Sequence, residues 1–146
     1  MKLFRLSLLA IALAVTLFGA TALAGFPVAS AHAANAQVTC SGNGCNGLDP
    51  EKTGCAADAF TVQTAVFSDS YVQLRYSPTC GTNWGRVYSR VGPANLIIRS
   101  QRIDGLSYTF SGGKFNYAWS AMVYAPNVQA RACGGVNVIE GCTAYV

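Results

Sequence analysis

Arg75, Trp84, Arg86 and Tyr88 are the residues of this chain with the most chemistry to offer. Guanidinium groups grip phosphate or carboxylate through paired hydrogen bonds, and aromatic rings give flat apolar platforms. In strand register Arg86 and Tyr88 share a face with Trp84, opposite Val87 and Val91. Arg75 lies on the outward face of the preceding run. If the two strands are neighbours, the four residues form one exposed patch suited to an anionic glycan or wall polymer. The competing role is structural: the arginine stems cover apolar strand surface, and Trp84 packs in the core against a cysteine bridge.

Acid–base chemistry has little to work with. It needs a group poised near neutral pH. The single histidine is His32, which leaves with the N-terminus if the chain is cut after Ala33. The carboxylates are Asp49, Glu51, Asp58, Asp69, Asp104 and Glu140. A glycoside hydrolase needs two of them facing across a cleft, and Asp58 with Glu140 would serve only if the fold brings them together. Asp49, Asp69 and Asp104 sit beside Pro, Ser or Gly, as turn formers do. Asp49, Glu51 and Asp58 flank Cys55 and could hold calcium, but their spacing matches no calcium loop. No catalytic residue, cofactor or metal is therefore assigned.

The N-terminus sets the compartment. Lys2 and Arg5 precede an apolar run from Leu6 to Phe18, and small residues follow. Basic, apolar, then small is the layout of a secretory signal peptide, read here as residues 1–33 with the cut near 33–36. The alternative is an uncleaved anchor, since the stretch from Leu6 to Ala24 is long enough to span a bilayer. Cutting after Ala33 leaves 113 of the 146 residues and removes Lys2 and Arg5, taking the net charge from +4 to +2. That charge implies no nucleic-acid partner. No membrane contact is expected once the leader is gone.

Cys40, Cys45, Cys55, Cys80, Cys133 and Cys142 all follow the leader. An even number in a small exported domain reads as disulfides, although sequence does not select the pairing. Local pairs are expected: Cys40 with Cys45, Cys55 with Cys80, Cys133 with Cys142. Zinc is the competing reading. No histidine remains beside the cysteines, no Cys-x-x-Cys is present, and export favours oxidation.

These side chains need strands to position them. Residues 34–39 read as a mobile leader, and 40–54, rich in Gly and Asn, as a stapled loop. From Phe60 the apolar and polar residues alternate, and Ser68-Asp69-Ser70 turns into a hairpin partner with Val72, Leu74 and Tyr76 inward. Pro78 ends that strand, and Trp84 to Val91 forms the next. Asn95 to Ile103 is a fourth, with Asp104-Gly105 as a hairpin dipeptide. Ser111-Gly112-Gly113-Lys114 reads as a tight turn, Phe115 to Ala125 as one striped strand, and Gly134-Gly135 as part of a loop before the last strand. One domain over 40–146 follows: all-β, a small antiparallel sandwich or barrel stapled by disulfides.

Two stretches carry a family resemblance. Cys40-x4-Cys45, Asn46-Gly47-Leu48-Asp49-Pro50 and Gly54-Cys55-Ala56-Ala57-Asp58 form the first. Leu74 to Val87, through Tyr76-Ser77-Pro78-Thr79-Cys80-Gly81-Thr82-Asn83-Trp84-Gly85-Arg86, form the second. Together they resemble the YjfA-like secreted proteins of Gram-positive bacteria, a domain-of-unknown-function family. Where that family commonly has Ala, this chain has Gly85. The resemblance covers Cys40 to Val91, and Asn95 to Val146 finds no counterpart. It implies secretion and a small disulfide-bonded domain, and supplies no reaction. The expectation is a non-catalytic extracellular or wall-associated binding domain. The alternatives are a module that binds another extracellular protein, as inhibitor or effector, and a small carboxylate-dependent hydrolase.

Overall fold

The computed structural model describes residues 37–146. The leader read over 1–33, its cut near 33–36, and residues 34–36 lie outside the described residues. Within them Val38 packs against a small core cluster, and the Thr39 amide donates to the Thr53 carbonyl at 3.0 Å. No helix among the described residues is long and apolar enough to cross a membrane.

Nine strands follow a short 3-10 turn at Gly42–Cys45. They are β1 (Phe60–Val66), β2 (Ser70–Ser77), β3 (Thr82–Ser89), β4 (Ala94–Arg102), β5 (Ser107–Phe115), β6 (Tyr117–Trp119), β7 (Val123–Tyr124), β8 (Ala130–Val136) and β9 (Gly141–Cys142). One sheet runs β1-β2-β3-β6, with β7 also on β3; the other runs β5-β4-β8-β9. Every pairing is antiparallel. The fold is all-β, two sheets face to face.

The core follows from period-2 alternation. Val72 and Leu74 on β2 and Val87 on β3 turn one way, and Leu96 and Ile98 on β4 with Ala132 and Val136 on β8 meet them. Val72, Leu74, Val87, Leu96 and Ile98 are fully buried. Around Val62 the β1 register slips against β2, so that Thr61 opposes Arg75 and Gln63 opposes Leu74. A one-residue slip exchanges the faces of a strand, and β1, at the sheet edge, leaves Phe60, Val62 and Val66 exposed.

Three elements depart from the pattern read in the sequence. Gly112-Gly113 makes no turn; β5 continues through it, with a register shift opposite Ala94–Leu96 and a positive φ at Gly113. Glycine here permits a bulge. The stripe from Phe115 to Ala125 is three pieces. Phe115 ends β5 in one sheet, while Tyr117–Trp119 and Val123–Tyr124 belong to the other. The chain changes sheets at Asn116, whose carbonyl accepts the Ser89 amide, and the Ser120 and Met122 amides find Gly85 and Leu48 carbonyls. Alternating polarity fits such a crossing as well as it fits one strand.

Gly134-Gly135 lies within β8, not in a loop. A Cβ on Gly134 would stand 2.6 Å from the Ile97 carbonyl oxygen and 2.9 Å from Ile98 Cδ1. A backbone atom cannot yield as a side-chain tip does. Gly134→Ala is expected to destabilise the protein by about 1–3 kcal/mol. Gly112→Ala is the control, since its Cβ would meet only the Phe110 ring, at 3.7 Å. Its stability should stay within about 1 kcal/mol of the parent. Urea unfolding of both variants checks the pair.

Candidate functional site: a basic and aromatic cleft

The three bridges join Cys40 to Cys45, Cys55 to Cys80 and Cys133 to Cys142, and no cysteine is free. The first two fold the loop of residues 40–59 against the outer face of the first sheet. Cys45, Cys55 and Cys80 pack there with Trp84 and Met122 as a second, smaller core. The loop is held further by the Gly47 amide on the Met122 carbonyl and the Met122 amide on the Leu48 carbonyl. Asp49 shapes its turn by accepting the Glu51 amide.

The loop leaves the rest of that face open, and register orders what it shows. Tyr71, Tyr88 and Tyr117 oppose one another across β2, β3 and β6. Gln73, Arg86 and Trp119 form the next cross-strand row, and Thr61, Arg75 and Trp84 the one after. Ring centroids along the aromatic row are 4.6 Å apart for Tyr71 and Tyr88, and 5.6 Å for Tyr88 and Tyr117. Trp119 continues the stack, 5.9 Å from Tyr117. Its indole N–H donates to Asp49 Oδ1 at 3.2 Å, which fixes the ring against the loop. Arg86 stands over Tyr88, 5.1 Å from the ring centre.

A cleft of about 230 Å³ opens between the loop and the sheet. Arg75 and Arg86 line it together with Trp84, Tyr117, Trp119 and Glu51. Neutral groups brace both guanidinium groups. Arg75 donates to Thr61 Oγ1 at 2.7 Å and to the Ala59 carbonyl at 2.6 Å. Arg86 donates twice to Gln73 Oε1, at 3.2 and 2.9 Å. Among the described residues the only salt bridge is Arg102–Asp104, far along the chain from the cleft arginines. Burial, then the like charge of Arg86, lowers the Arg75 pKa from its ordinary value, while Glu51 acts against them. Two adjacent arginines thus share a partly covered cleft without a bonded carboxylate. Such a site favours an anion.

A second, more apolar cleft of about 420 Å³ lies across the Tyr117–Trp119 ridge, lined by Phe110, Phe115, Asn116 and Ala118. The two clefts share Tyr117 and Trp119 as a common wall.

Arg75, Arg86 and Tyr88 of the sequence patch do lie together on this face. Of the two roles read for Trp84, member of the exposed patch or core residue against a cysteine bridge, the structure has the second. Trp84 is 3% exposed, because the Cys55 and Cys80 bridge covers it, and only part of its ring reaches the cleft floor. Sequence reading missed Tyr71, Tyr117 and Trp119 as members of the site. Arg90, just beyond β3, stands apart from the site and donates to the Phe67 carbonyl beside the β1–β2 turn.

The carboxylates do not converge. Asp58 accepts the Ser77 hydroxyl at 2.6 Å and the Thr79 amide at 2.9 Å, at one end of β2. Glu140 accepts the Val136 amide at 2.9 Å and the Asp69 amide at 3.3 Å, near the other end. The strand between them is roughly 23 Å long, against the roughly 5–10 Å that a carboxylate pair needs. Burial pushes both carboxyls up. Hydrogen bonds outweigh it, from Ser77 and Thr79 on Asp58 and from Val136 and Asp69 on Glu140, and both pKa values fall below the ordinary ones. Both groups are ionised acceptors that pin turns.

Fold and site together define a disulfide-stapled β-sandwich with a basic and aromatic cleft under its N-terminal loop. Residues 43–133, more than half of the 146-residue chain, match the model of DUF2690, a family of proteins of unknown function. The chain belongs to that family. The match runs past Val91, where the motif resemblance stops, to Cys133. No curated protein and no solved structure matches the chain.

Proposed function

We propose that this protein is a secreted, non-catalytic binding domain of the YjfA-like kind, which holds an anionic extracellular or wall polymer on the open face of its first sheet. The observation that carries the reading is the pair of guanidinium groups, Arg75 and Arg86, braced by neutral acceptors beside the Tyr71–Tyr88–Tyr117–Trp119 row. The arginines take a phosphate or carboxylate, and the ring faces take the less polar faces of sugar or polyol units. Two clefts on either side of one aromatic ridge suit an extended chain better than a single small molecule. Secretion rests on the basic, apolar and small-residue order of residues 1–33, and three disulfides are compatible with it.

The test is co-sedimentation of the purified protein with isolated Gram-positive cell walls at low and high salt. Pelleting is expected at low salt and should weaken as salt rises. Arg86→Ala should reduce it about tenfold, equivalent to about 1.4 kcal/mol, while the melting temperature stays close to the parent's. Equal pelleting of a stable Arg86→Ala variant sinks the reading, as does no pelleting at either salt.

A further inference from the structure

Four of the six cysteines meet at one point beneath the cleft. The sulfurs of Cys40, Cys45, Cys55 and Cys80 all lie within 4.8 Å of one another. Cys40 Sγ and Cys55 Sγ, in different bridges, are 3.8 Å apart. Both are bridged and carry no hydrogen, so this is a contact between disulfides. Cys45, Cys55 and Cys80 are buried, and Cys40 is half-buried. A bridge stabilises according to the loop it closes, not according to a neighbouring bridge. Packing in the small core with Trp84 and Met122 brings the bridges together, and the convergence of four sulfurs allows a second account beside it.

Zinc chemistry supplies one. Four thiolates around Zn²⁺ at about 2.3 Å set sulfur–sulfur edges of about 3.8 Å in a tetrahedron. The contact between the two bridges already has that length. Opening each bridge from about 2.0 Å to the same edge moves each sulfur by roughly 0.9 Å, which side-chain rotation provides. Cys40-x4-Cys45 has the spacing of a structural zinc half-site, and a four-cysteine set needs no histidine.

We infer that, when its bridges are reduced, the chain binds one zinc ion through Cys40, Cys45, Cys55 and Cys80. Two equivalents of a dithiol reductant deliver four electrons and four protons, break both S–S bonds and become two disulfides themselves. Zn²⁺ then displaces the four thiol protons as it binds. In reverse, two equivalents of a small-molecule disulfide accept four electrons, both bridges re-form, and the zinc is released. The loop that walls the cleft is thus fastened in either state, by two bridges or by one metal ion. Cys133 and Cys142 stand apart on β8 and β9 and take no part.

The test uses the full chain, reduced without oxygen by a dithiol that is then removed. Cobalt(II) is added first as a spectroscopic stand-in, then zinc. The expected result is a tetrahedral cobalt–thiolate spectrum that saturates at one ion per chain and is bleached by an equal amount of zinc. Zinc should also protect Cys40, Cys45, Cys55 and Cys80 from alkylation, leaving Cys133 and Cys142 open. Oxidised glutathione should then release the metal and restore both bridges, read by mass. A reduced chain that gives no such spectrum, whether folded or unfolded, overturns the inference. Protection of Cys133 and Cys142 in place of the four overturns it too.

Discussion

Replacing Cys55 and Cys80 together by alanine is expected to lower the unfolding free energy by about 3.5 kcal/mol, from the chain entropy of the loop that their bridge closes. The bridge spans 25 residues. It ties the N-terminal loop to the corner between β2 and β3, and both cysteines are at most 3% exposed. The Cys133–Cys142 bridge spans 9 residues, and the same relation gives about 2.6 kcal/mol for its removal. The gap between the two variants should exceed that difference. Cys55 and Cys80 belong to the small core with Trp84 and Met122, whereas Cys133 and Cys142 join strands already paired by backbone hydrogen bonds. Urea unfolding of both double variants measures it. Equal losses would mean that the N-terminal loop holds its place without the bridge.

The sheet-forming pattern was legible in the sequence where burial is one-sided. Val72 and Leu74, then Leu96 and Ile98, alternate with polar neighbours and face the core as their spacing predicts. Pro78 and Asp104-Gly105 mark real strand ends. The reading failed where glycine has more than one use. Gly112-Gly113 has the composition of a turn and makes a bulge. Gly134 has it too, yet stands in a strand because the Ile97 carbonyl leaves no room for a side chain. Periodicity also cannot say which sheet a strand joins. Tyr117 and Trp119 read as part of one stripe with Phe115, and only the crossing at Asn116 puts them beside Tyr88 and Arg86. The arginine pair was legible, since β2 and β3 follow each other through a short corner and such strands usually pair. Burial of Trp84 against the Cys55–Cys80 bridge was one of the two roles its position allowed; the long-range fact that local spacing does not carry is that Cys45 and Met122 close over it as well.

The two tryptophans should therefore separate fold from binding. Trp84→Ala is expected to cost about 3–5 kcal/mol, because Trp84 is nearly sealed among Cys45, Cys55, Cys80 and Met122. Trp84→Phe keeps most of the contact area and should recover most of that loss. Trp119 is only half-buried; it stacks on Tyr117 and holds one hydrogen bond to Asp49. Trp119→Ala should cost about 1 kcal/mol of stability, yet it removes the shared wall of both clefts. Wall pelleting by this variant should fall about tenfold or more, a loss of at least about 1.4 kcal/mol of binding. The comparison is made at a temperature where all three variants are folded, with unfolding curves and pelleting measured on the same preparations. A stable Trp84→Ala that no longer pellets would move Trp84 from the core to the ligand contact. A stable Trp119→Ala that pellets as the parent does would take the aromatic ridge out of the binding face and leave the arginines alone to account for it.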